Sequence, residues 1–90
     1  MLAKVLIDAL GTFVLVLSVF LSGGSSLIIG TTLALIVFLI GGISGAYVNP
    51  AISLAGYFYG SLSLTEFLAY SLGHFIAAVA AVKTYSYYTQ

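Results

Sequence analysis

The sequence predicts an all-α membrane protein. Three transmembrane helices and one re-entrant half-helix make a single membrane domain over residues 1–90. Three observations carry this. Only four side chains are charged, Lys4, Asp8, Glu66 and Lys83, and there is no Arg, whereas a soluble domain carries about 25% charge. Three apolar runs approach the roughly 20 residues that a helix needs to cross the hydrocarbon core. Between the second and third lies a shorter apolar stretch, interrupted by Gly and Pro.

The first span covers about 4–22. Val5–Leu21 is apolar except for Asp8, Thr12 and Ser18. It starts with one Lys and lacks an A-x-A cleavage site, so it reads as a span and not as a signal peptide. Gly23-Gly24-Ser25-Ser26 predicts a tight turn. The second span covers about 26–43. Residues of about 44–59 are too apolar for an ordinary loop and too short and broken for a span, which suggests a re-entrant segment. Within it, Asn49 suits a helix N-cap and Pro50 the first helical position. A half-helix from Pro50 then stops near Gly60. Ser63-Leu64-Thr65-Glu66 forms a capping box that opens the third span, about 64–84.

Composition also excludes functions. A nucleic-acid binder needs a basic face to neutralise phosphates. Without Cys there are no disulfides or thiolate metal sites. One His and two carboxylates far apart in sequence argue against a metal site, a cofactor or an enzyme.

Ser44-Gly45-Ala46-Tyr47-Val48-Asn49-Pro50-Ala51 resembles the S-G-A-H-x-N-P-A signature of the aquaporin family, the major intrinsic proteins. Asp8-Ala9-Leu10-Gly11-Thr12-Phe13 is similar to that family's first-helix E-x-x-G-T-F/L, and Gly73 with its small-residue stripe to its third helix. The resemblance covers nearly the whole chain, but only the first of the two inverted halves that family members fuse. Several positions depart from the pattern. The loop His is Tyr47, the third-helix Gln is Tyr70 and the first-helix Glu is Asp8. No Arg follows N-P-A, and Ile29 stands at the second-helix constriction position.

The resemblance implies a pore lined by Asn49, Pro50, Ala51, the carbonyls of Gly45, Ala46 and Tyr47, and Ile29. Asn49 would donate its amide to a solute at mid-membrane while the half-helix dipole opposes cations; its plainer reading is a loop N-cap. The three carbonyls are either a file of acceptors or an ordinary glycine turn. Asp8, with Tyr70, would support the re-entrant loop; alternatively Asp8 pairs with Lys4 one turn earlier. His74 is the candidate pH-sensitive group, as a pore-facing gate; its plainer reading is packing beside Tyr70. Ala69, Gly73, Ala77 and Ala81 form a small-residue row for close helix approach, within the chain or between chains. Tyr57, Phe58 and Tyr59 read as one aromatic belt, and Tyr85, Tyr87 and Tyr88 as the other.

A single half leaves the Asn49 loop facing lipid, where each unsatisfied backbone group costs several kcal/mol. The expected cover is a second, inverted copy. Three spans put Lys4 and Lys83 on opposite sides, so the positive-inside bias is balanced and dual topology is expected. By resemblance, antiparallel dimers would gather into eight chains forming four pores. The expected function is a passive channel for water and small neutral solutes such as glycerol, ammonia or dissolved gas. The alternatives are a holin-like or structural membrane protein, and half of a hetero-oligomeric channel.

Overall fold

The computed structural model describes residues Met1–Gln90. Four helices follow in order: α1 (Leu2–Leu21), α2 (Ser26–Ser44), α3 (Pro50–Tyr59) and α4 (Leu64–Thr89). There are no strands. Helices α1, α2 and α4 are each long and apolar enough to cross a membrane. The protein is therefore an integral, multi-pass membrane protein of the all-α class that the composition predicts.

Local chemistry sets the boundaries. Gly23 and Gly24 take positive φ values of 65° and 85° and turn the chain between α1 and α2. Ser25 then caps α2 by accepting from the Ile28 N–H. Asn49 is extended, with φ −151° and ψ 131°, and its side-chain oxygen accepts from the Ala51 N–H at 2.7 Å. Pro50 stands at the first helical position, where no N–H is needed. Gly60 ends α3 in the left-handed conformation. The capping box opening α4 is complete: Glu66 N–H donates to Ser63 Oγ, and Ser63 N–H donates to Glu66 Oε1.

Two ends differ from the sequence expectation. Helix α1 starts at Leu2, two residues early. Helix α4 runs on to Thr89, past the boundary near 84, because Thr84–Gln90 contains neither Gly nor Pro to stop it.

Helix α1 is the hub. Helices α2 and α4 each pack on it, and α3 packs on α4; α2 meets α4 only at its C-terminal end, where the Tyr70 hydroxyl reaches the Ser44 carbonyl. Helices α1 and α4 run parallel: Asp8 meets His74, and Phe20 meets Tyr85 with ring centroids 5.6 Å apart. The small-residue row of α4 serves this contact. A Cβ at Gly73 would lie 3.4 Å from both Ala9 Cβ and Val5 Cγ1, and Ala77 and Ala81 are buried. Most large apolar side chains of the spans are exposed, among them Phe38, Leu39, Phe75 and Ile76. That inside-out distribution suits a chain whose surroundings are lipid.

Candidate functional site: a re-entrant loop held by α1 and α4

Five residues connect α2 to α3, Gly45 to Asn49. The loop is short and its backbone is unusual. Gly45 has φ 90°, and Ala46 and Val48 take φ 49° and 48°. A β-branched residue in the left-handed region is a true outlier. Such conformations cost about 1–3 kcal/mol each and persist only where surrounding groups impose them.

The groups that impose them come from α1. Asp8 is fully buried, and each of its carboxylate oxygens meets two partners. Oδ1 accepts from Tyr47 N–H at 3.0 Å and from Ser44 Oγ at 2.6 Å. Oδ2 accepts from Val48 N–H at 2.8 Å and lies 2.6 Å from His74 Nε2. One turn along α1, Thr12 Oγ1 donates to the Val48 carbonyl at 2.8 Å. Both backbone polar groups of Val48 are thus bonded to α1, and its side chain is buried. Helix α4 completes the frame, with Tyr70 donating its hydroxyl to the Ser44 carbonyl at 2.9 Å.

Tyr47 is turned away from the open side of the loop. Its ring packs edge-on to Tyr70, and its hydroxyl lies 3.0 Å from Ser61 Oγ. It fits because two neighbours are glycines. A Cβ at Gly45 would stand 2.6 Å from Tyr47 Cε2, and one at Gly56 would stand 2.7 Å from Tyr47 Cε1. A further polar contact, Ser53 Oγ to Ser71 Oγ at 2.8 Å, ties α3 to α4.

The opposite side of the loop is open. Gly45, Asn49 and Ala51 are exposed, and Pro50 is half-buried. The carbonyls of Gly45, Ala46 and Tyr47 receive no donor from the chain, and the amide nitrogen of Asn49 donates to none of its groups. Three acceptors and the Asn49 amide nitrogen are therefore without a partner in the chain, and they adjoin the N-terminus of α3. Ile29 is not part of this cluster. It lies in the first turn of α2, fifteen residues before Ser44, or about 22 Å along the helix axis. A groove of about 430 Å³ between α1 and α2 is lined mostly by apolar residues such as Leu10, Val14, Leu35 and Leu39 and does not include Asn49.

The placement of the polar residues sharpens the sequence reading. Lys4 is exposed, and Asp8 is paired with His74 instead. His74 is buried beside Tyr70, with ring centroids 6.3 Å apart, and faces Asp8 and not the open side. Nothing local in the sequence pairs Asp8 with His74, which lie 66 positions apart. Thr12, Ser44, Ser53 and Ser71 were not singled out as site residues. One signal was available: Asp8 and Thr12 are spaced i, i+4, which puts two polar groups on one face of an apolar helix.

A multi-pass bundle with a framed, re-entrant N-P-A segment defines a class of membrane protein. The family model described as Major intrinsic protein matches residues 21–90. The chain belongs to the major intrinsic protein family. Aquaporin-8 of Milnesium tardigradum is 38% identical to it over 55 residues, which is 61% of this chain and 16% of that relative. The chain thus matches only a small part of that relative's length. No solved structure matches the chain. Asp8 and Thr12 lie outside the family match, so their part in the site rests on the geometry above.

Proposed function

We propose that the chain forms a passive channel for water and small neutral solutes, completed when two copies pair in inverted orientation. The observation that carries this is the open side of the loop. Three loop carbonyls and the Asn49 amide nitrogen have no partner in the chain, and they adjoin the N-terminus of α3. Left against lipid, such groups cost several kcal/mol each. Beside water they become a path on which protein groups replace hydration. Carbonyls of Gly45, Ala46 and Tyr47 accept from the solute, Asn49 donates to it, and the positive end of the α3 dipole disfavours cations. Pro50 and Ala51 fix the start of α3 and so the aim of Asn49.

The cover must also bring its own half-helix. A second copy, related by a two-fold axis in the membrane plane, does so and sets two Asn49 side chains near the midplane. The balanced positions of Lys4 and Lys83 allow insertion both ways round. Four such pairs, eight chains, would make four pores. With no Arg in the chain and an aliphatic Ile29, the outer constriction is less polar than an Arg-lined one, which favours glycerol or ammonia alongside water.

Stopped-flow shrinkage of proteoliposomes in water and glycerol gradients tests the reading. The expected result is water flux well above that of empty liposomes, with a low activation energy and no ion leak. Flux equal to that of empty liposomes, from a chain purified as a defined oligomer, would contradict it. Flux that appears only on adding a second, different chain would support a hetero-oligomer instead.

A further inference from the structure

Asp8 anchors the loop, and a buried imidazole lies beside it. His74 is 1% exposed, its Nε2 is 2.6 Å from Asp8 Oδ2, and its Nδ1 is buried with no hydrogen-bond partner in the chain. We propose that His74 is a positioning residue: it holds Asp8 as a carboxylate through its Nε2–H and takes up a proton at Nδ1 in place of Asp8, so that the re-entrant loop keeps its geometry in acid.

Two of the four groups on Asp8 are the backbone N–H groups of Tyr47 and Val48, which can only donate. Ser44 also donates, so Nε2–H makes a fourth donor to a fully used carboxylate. A proton added to either carboxylate oxygen turns an acceptor into a donor, and at least one of these bonds must then go. The bonds at risk include those that hold Ala46 and Val48 in the left-handed region. A proton added at Nδ1 breaks no bond in the chain, and the resulting imidazolium lies against the Asp8 carboxylate.

No other group competes for that proton. Asp8 is the charged residue facing His74 from α1, and Lys4 and Glu66 lie toward the N-terminal ends of their helices. Helix α2 carries no titratable residue. Tyr70 stands beside His74 on α4, and Tyr47 of the loop packs on Tyr70. On α3, Tyr57 stacks on Phe67 instead, at 5.8 Å.

Only the effect on flux rests on the channel reading; the clamp does not. His74 is the single histidine, so ¹⁵N-histidine labelling of the full chain in lipid nanodiscs gives one pair of imidazole signals. The expected result at about pH 8 is a protonated Nε2 and a bare Nδ1. On acidification Nδ1 gains the proton while the Tyr47 and Val48 amide signals stay in place. His74→Gln keeps a donor at similar reach but no base. In it those amide signals should shift on acidification, and water flux should fall several-fold between about pH 8 and about pH 5, where wild type holds its own rate. A proton on Nδ1 with a bare Nε2 at alkaline pH would overturn the proposal. So would loop amides that respond to acid identically in both proteins. If His74→Gln does not fold, the wild-type imidazole and amide titrations decide. If wild type passes no water, the channel reading fails while the same titrations still judge the clamp.

Discussion

His74 and Asp8, separated by 66 positions in the chain, meet in the buried interior with Nε2 and Oδ2 2.6 Å apart. Through Asp8 that contact reaches Tyr47 and Val48, and so the backbone immediately before Asn49. The aim of the loop is therefore set on α1 and α4, two helices that do not themselves carry the loop.

Asp8→Asn tests that frame. An amide keeps one acceptor oxygen and replaces the other with an NH₂. Ser44 and His74 can rotate or change tautomer, but the backbone N–H groups cannot, so one of them loses its acceptor. A buried unsatisfied donor costs about 1–3 kcal/mol. A lower thermal midpoint by circular dichroism in detergent is expected, with reduced flux. Lys4→Gln, at an exposed position, should leave both unchanged.

Much of this was legible in the sequence, for physical reasons that differ by element. Ser63 and Glu66 form a local motif, and Asn49-Pro50 is another, so short-range chemistry alone places the starts of α4 and α3. Three long apolar runs separated by Gly pairs or polar turns set the spans. The pairing of Asp8 with His74 was not legible, because it depends on α1 and α4 packing in parallel through Gly73. The left-handed Val48 was hidden for a similar reason. Nothing local favours it, and it exists because Asp8 and Thr12 bind both of its backbone groups. Helix α4 outruns the span of about 64–84 because nothing in Thr84–Gln90 stops a helix, and hydropathy marks the span and not the helix end.

Gly56→Ala should push the Tyr47 ring out of its slot. The added methyl would stand 2.7 Å from Tyr47 Cε1, with Ser61 Oγ and Leu62 Cδ1 close behind at 3.2 and 3.3 Å. Overpacking of this kind costs about 1–3 kcal/mol. The expected readout is a lower thermal midpoint. Adding Tyr47→Ala to the same chain should recover part of it, since the clashing ring is then gone.

Ile29→Trp should slow glycerol before water if the first turn of α2 lines the mouth of the path. The measurement is the ratio of the two fluxes in proteoliposomes. Both fluxes unchanged would place Ile29 away from the path.

Asn49→Asp and Asn49→Ala separate the amide from the helix end. The Ala variant loses a cap worth about 1 kcal/mol but keeps the α3 dipole. If two copies pair in inverted orientation, the Asp variant sets two carboxyls near the midplane, where they attract cations. Ion conductance and water flux, read on the same liposomes, should show more cation or proton leak with Asp than with Ala. Unaltered water flux and ion exclusion in both would reduce Asn49 to a cap.

Inverted pairing is tested most directly by complementation. Two Lys added beside Lys4 should fix one orientation, and two added beside Lys83 the other. Each variant is expressed alone and then together with its opposite, and osmotic water flux is measured in vesicles from those membranes. Inverted pairing predicts that each variant alone gives the background rate and that the two together restore the wild-type rate. Full flux from either variant alone, or none from the pair at normal protein levels, would contradict it.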